Sequence, residues 1–120
     1  MIKRHAELKR DPQKEFRGGK GTVVLEHFMD MQMANGAGRL FSKSILPPGA
    51  SVGVHKHEGD FEVYYILEGK ALVNDNGVEV ELGPGDINYC ADGDSHGIEN
   101  IGATDLTYIA IILFTTQKEL

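Results

Sequence analysis

GASVGVHKHEGDFEVYYILEG, residues 49–69, reads as two β-strands joined by a short polar turn. A strand sends alternate side chains to one face, so His55 and His57, two apart, can reach a common point. Glu62 lies on the second run, just past the turn His57-Glu58-Gly59-Asp60. An antiparallel return across that turn brings its carboxylate to the imidazole pair. His96 follows much later, after the polar loop 91–95, and is the further imidazole candidate. Neutral imidazole with one carboxylate is a donor set that suits Fe, Mn, Ni, Cu or Zn.

Outward from this stretch, short β-type runs alternate with turn signals at intervals of roughly ten residues, the pattern of an all-β sandwich or barrel. Residues 22–28 (TVVLEHF), 40–46, 61–67, 70–73, 78–82, 87–90, 97–100 and 106–114 read as strands. Residues 29–38 read as a loop closed by Asn35-Gly36. Asn76-Gly77 is a hairpin signal, because both central turn positions tolerate positive φ. Helical character is weak and confined to residues 5–11, ending at Pro12. The 120 residues fit a single domain large enough to bury a core.

The net charge of −6 argues against a nucleic-acid partner, since phosphate binding needs a basic surface. Lys3, Arg4, Lys9, Arg10, Lys14 and Arg17 are interleaved with Glu7, Asp11 and Glu15, so the N-terminus reads as a solvated lead-in. The apolar run 108–114 is too short to span a bilayer as a helix. Cys90 is the one cysteine, which excludes an intrachain disulfide and fits a reducing compartment. A cytoplasmic protein with no membrane association is therefore expected.

Two spaced patterns resemble the cupin superfamily. The first is Gly49, five residues, His55-Lys56-His57, four residues, Glu62, six residues, Gly69. The second is Gly85, five residues, Ala91-Asp92-Gly93, two residues, His96, three residues, Asn100, with Ala91 where the family carries Pro. The patterns cover residues 49–100, and the strand rhythm extends the likeness to about 22–114. The resemblance implies a double-stranded β-helix (a jelly-roll barrel) behind an irregular N-terminal lead-in. It also implies that His55, His57, Glu62 and His96 ligate one divalent transition metal, Fe, Mn, Ni or Zn. Small members of the family look like homodimers, often exchanging N-terminal strands.

Other residues carry weaker signals. Tyr64 and Ile66 share the inward face of Glu62 by period two, so the Tyr64 phenol is the candidate proton donor. Core packing is its alternative. Phe61, Val63, Tyr65 and Leu67 face the other way, toward a second sheet or a partner subunit. Arg39 and Lys43 could hold a carboxylate or phosphate if either points inward; otherwise they are surface charge. Cys90 reads as a small buried hydrophobe, and His5 and His27 as histidines outside the site. Met29, Met31 and Met33 read as packing near the barrel mouth.

Fold alone does not choose a function here. The complete ligand set with open coordination favours a metal-dependent enzyme on a small oxygen-rich metabolite, an organic acid or sugar derivative. Isomerase, decarboxylase and dioxygenase chemistry all fit. A non-catalytic metal- or metabolite-binding module is the alternative.

Overall fold

The computed structural model describes residues 1–116. Its strands are β1 Lys9–Lys14, β2 Thr22–His27, β3 Gly38–Leu46, β4 Ser51–Lys56, β5 Asp60–Glu68, β6 Ala71–Asp75, β7 Val78–Leu82, β8 Ile87–Cys90, β9 Ser95–Asn100 and β10 Leu106–Phe114. They form two antiparallel sheets, one in the order β1-β2-β3-β10-β5-β8 and the other β4-β9-β6-β7. From β3 onward the chain passes back and forth between the sheets. That winding is the double-stranded β-helix expected from the two motifs.

Period-two burial shows which face of each strand turns inward. Leu106, Tyr108, Ala110 and Ile112 of β10 are buried, as are Asp60, Glu62, Tyr64 and Ile66 of β5. The interior is divided along its length. One end is apolar, built from Leu46, Ala71, Val73, Ile98 and Leu106. Each large aliphatic buried there contributes roughly 1.5–3 kcal/mol relative to exposure. The other end is polar and holds His57, Asp60, Glu62, Asn88 and His96, each with at most 7% of its surface exposed. β5 crosses both regions, so its inward face changes from carboxylate to phenol to isoleucine in four steps along the strand.

Turn chemistry fixes the connections. Asn76 and Gly77 adopt positive φ (51° and 90°) and close the β6–β7 hairpin, as the Asn-Gly signal predicts. Asn100, at the end of β9, donates to the Leu46 and Thr104 carbonyls at 2.8 Å each and accepts from Gly102 N–H at 2.9 Å. It thereby ties down the loop before β10. Residues 29–38 contain a short helix, α1 Met31–Ala34, capped by the Asp30 carboxylate accepting from Met33 N–H at 2.7 Å.

The N-terminus departs from expectation. Residues 5–11 do not form a helix: His5–Glu7 is one 3-10 turn and Lys9–Lys14 is the edge strand β1, so the lead-in is part of the sheet. Pairing with β2 overrides local propensity there, with Pro12 opposite Val24. Proline lacks the N–H that a second neighbour would need, so it is tolerated at an edge, where it also discourages further pairing. No helix among the described residues is long and apolar enough to cross a membrane.

After β1 the turn at residues 16–19 folds down onto β4. A Cβ on Gly53 would strike the Arg17 carbonyl, and one on Gly19 the Ser51 carbonyl. Two backbones can approach this closely only through glycine. Gly53→Ala should therefore cost about 1–3 kcal/mol by overpacking. Gly83→Ala, where a Cβ meets nothing within 4 Å, should leave stability within about 0.5 kcal/mol. Urea unfolding of both variants checks this, and equal midpoints would contradict the packing account.

Candidate metal centre

Both sheets contribute to one cluster. His55 on β4 lies directly opposite His96 on β9. His57 follows the end of β4, where its N–H donates to the Asp94 carbonyl at 2.9 Å and its carbonyl accepts from Gly93 N–H at 2.7 Å. Glu62 reaches across from β5. Its Oε1 lies 2.9 Å from His96 Nε2, 3.1 Å from His57 Nε2 and 3.5 Å from His55 Nε2. Ligand atoms of all four residues fall within 4.8 Å of one another. The structure brings together all four residues named from the sequence.

The outer ring nitrogens show what this cluster is fit to hold. His55 Nδ1 faces the Gly53 carbonyl at 2.8 Å, His57 Nδ1 faces Asp60 Oδ1 at 2.6 Å, and His96 Nδ1 faces Asn88 Oδ1 at 2.7 Å. A carbonyl or a carboxylate can only accept, so each Nδ1 carries the proton and donates it. In the neutral rings every Nε2 is then a bare lone pair aimed at the centre. His57 Nε2 and His96 Nε2 stand 3.2 Å apart, both against the Glu62 oxygen. Four acceptors converging this closely repel one another unless positive charge sits among them. A divalent cation fits this donor set, and the outward hydrogen bonds are the kind that orient metal-ligating histidines.

The protonation tendencies express the same demand. Burial lowers the proton affinity of His57, but hydrogen bonds to Glu62 and Asp60 outweigh it and the pKa rises above the ordinary 6.5. Burial dominates at His96 and its pKa falls. Burial opposes the charge on Glu62, yet the three imidazoles hold its carboxyl far below the usual range. Asp60 is likewise held low against its burial, by Arg39 and His57. Arg39 Nε donates to Asp60 Oδ2 at 2.8 Å.

Beside the cluster is a cavity of about 70 Å³ whose walls include His55, Glu62, Tyr64, Tyr108, Arg17 and Arg39. Tyr64 faces inward as period two predicts and stacks on His96, ring centroids 4.6 Å apart and planes 10° apart. Burial, then the Glu62 charge, pushes its phenol pKa well up, so the hydroxyl stays protonated. Cys90 is fully buried with its thiol pushed up to about 12, the inert small hydrophobe expected. His5 and His27 stay outside, bound to Glu26 at 3.1 Å and to Asp11 at 2.9 Å. Met31 and Met33 are exposed on α1, and Lys43 is absent from the cavity wall.

Three supporting groups escaped the sequence reading. Asp60 shares the inward parity of Glu62 and Tyr64, so the same period-two argument could have found it. Asn88 reaches His96 only because β8 pairs with β5 in a register set by distant residues. The Gly53 carbonyl has no side chain to read. The loop before His96 stays in place without the family's proline, because Gly59 N–H donates to Asp92 Oδ1 at 3.0 Å and Asp94 N–H to the Ala91 carbonyl at 3.0 Å.

Metal should stabilise the fold by about 2.7 kcal/mol at a hundredfold excess over Kd, and His96→Ala should abolish that shift in thermal unfolding. Binding must also displace the proton that His57 holds. At pH values below that raised pKa, metal uptake should release protons and weaken as pH falls. Calorimetry in two buffers of different ionisation enthalpy measures the release; a buffer-independent enthalpy would contradict it.

Comparison with known proteins agrees with this geometry. The family described as "Cupin domain" matches residues 42–112. The "Oxalate-binding protein" of Thermotoga maritima is 44% identical over 113 residues, covering 94% of this chain and 93% of that protein. A crystal structure of a predicted oxalate decarboxylase from the same organism superposes with TM-score 0.91 at 44% identity, covering 95% of this chain and 99% of that one. A Thermus thermophilus protein superposes with TM-score 0.71 at 27% identity, covering 94% and 96%. Barrel winding, motif spacing and sequence similarity coincide over the same residues, and the chain belongs to the cupin family.

Proposed function

We propose that this protein holds a divalent transition-metal ion through His55, His57, Glu62 and His96 and through it binds a compact carboxylate of the oxalate class. The observation that carries the reading is the convergence of three outward-locked imidazoles on Glu62 Oε1. Fe, Mn, Ni and Zn all suit three nitrogens and one carboxylate oxygen. A metal so held supplies a Lewis-acid site with coordination positions left for ligand oxygens. The chain's own groups suit an anionic ligand: Arg17 and Arg39 in the wall supply positive charge, and the phenols of Tyr64 and Tyr108 are neutral donors. The name of the 44%-identical relative supports the ligand class.

A catalytic reading has its own observation. Cleaving the carbon–carbon bond of such a diacid leaves a carbon that needs a proton, and Tyr64 places a protonated hydroxyl in the cavity wall beside Glu62. Both readings meet in one experiment, titration of oxalate into metal-free and Mn²⁺-loaded protein with assay for formate. Saturable binding only with metal is expected; equal affinity without metal would sink the proposal. Formate production lost in Tyr64→Phe while oxalate binding survives would assign Tyr64 its proton-donating role, and no formate at all would mark a binder.

On this reading the single cupin domain takes a small-molecule substrate or ligand, with no nucleic-acid or membrane partner, in the reducing cytoplasm suggested by the lone buried Cys90. It is a homodimer on this reading. Tyr65, Ile87 and Tyr89, 45%, 60% and 55% exposed, lie on the outward face where β5 pairs with edge strand β8. A second copy would cover them. Light scattering after size exclusion should give twice the 13.1 kDa chain mass, and Tyr89→Glu should halve it; a monomeric wild type would contradict this.

A further inference from the structure

Arg39 occupies an irregular position in an otherwise regular strand. On β3, Ser42, Ser44 and Leu46 are buried and the alternate residues face outward, which would send Arg39 outward too. The pairing slips just before that point: Leu40 pairs with Ile112 and Gly38 with Leu113, so two steps on β3 match one on β10 and Arg39 is the extra, unpaired residue. A β-bulge of this kind re-aims the side chain it carries. Gly38 is what allows it, since a Cβ there would strike the Ile112 carbonyl.

The Arg39 side chain, 35% exposed, stands between two spaces. It lines the cavity beside the metal ligands with His55, Glu62 and Tyr64. It also lines an outer pocket of about 320 Å³ with Lys3, Lys9 and His27, where Glu7 and Asp30 are the counter-charges. Among the described residues only Nε is engaged, with Asp60 at 2.8 Å. The two terminal amino groups make no hydrogen bond among the described residues. An arginine braced at Nε keeps a planar pair of donors whose spacing matches a carboxylate.

We infer that Arg39 is the specificity-determining residue of the site: braced on Asp60 at a β-bulge, it presents its free guanidinium edge to the outer oxygens of a dicarboxylate bound at the metal. This rests on the proposed metal-and-carboxylate function and extends it to one residue. Oxalate, with two carboxylates, satisfies the metal and the guanidinium together. Glycolate chelates through a carboxylate and a hydroxyl but offers the guanidinium less charge and fewer oxygens. Lysine at this position would keep the charge and lose the paired geometry.

The test compares oxalate and glycolate binding to Mn²⁺-saturated wild type, Arg39→Lys and Arg39→Ala by calorimetry, with metal content measured on each. In Arg39→Ala the oxalate-to-glycolate affinity ratio should fall about tenfold or more, the loss of one charge-assisted bidentate contact. Arg39→Lys should show a smaller fall, and it carries the test if the alanine variant does not fold. A purely structural role, acting through Asp60 on His57, would change metal content and weaken both ligands alike. An unchanged ratio in metal-loaded variants whose wild type binds oxalate overturns the inference alone. A metal-loaded wild type that binds neither ligand overturns the function and the inference together.

Discussion

Three imidazole lone pairs and a carboxylate oxygen are pressed together at one end of this barrel, and among the described residues no lysine or arginine is hydrogen-bonded to them. Each ring is turned into that position by a hydrogen bond on its far side, to the Gly53 carbonyl, Asp60 and Asn88. Those acceptors leave the Nε2 atoms no proton of their own. The cluster therefore carries an electrostatic demand that a proton meets partly and a divalent cation meets fully. His57, with its raised proton affinity, is where that demand shows in the protein alone.

The rest of the fold keeps the four residues from relaxing apart. Glu62 belongs to the larger sheet and His55 and His96 to the smaller, so spreading them would mean separating the sheets. The apolar far end, with Leu46, Ile66 and Leu106 fully buried, resists that. Around the mouth, the close contact of Arg17 with Gly53 braces β4, and the hydrogen bonds of Asp92 and Gly93 to residues 57–59 hold the approach to His96. Local repulsion is tolerated because a packed core and two backbone contacts oppose it.

Three of the four clustered residues were legible in the sequence from local spacing, and His96 through its place in the second family motif. His55 and His57 share a strand face, Glu62 follows one turn later, and the inward phenol of Tyr64 comes from the same parity. The all-β class was legible because alternation and Gly-rich turns repeat along the chain, and the barrel winding followed from the two family motifs. What escaped depends on non-local register. β1 is rich in Lys, Arg, Asp and Gln, with no β-branched residue, and becomes a strand only because β2 offers an edge. The reach of Asn88 to His96 depends on the β5–β8 pairing. The bulge that aims Arg39 exists only as a mismatch between β3 and β10, strands separated by about sixty residues of chain. Alternation in β3 by itself accounts for the exposure of Arg39 but not for its place in the cavity wall.

X-ray absorption at the edge of a metal loaded into the purified protein tests the central claim most directly. The account predicts a first shell of three imidazole nitrogens and one carboxylate oxygen at about 2.0–2.2 Å, with the outer-ring scattering of three histidines, completed by exchangeable oxygens. A shell of oxygens alone, or scattering from fewer than three imidazoles, would show that these side chains do not act together as a metal site.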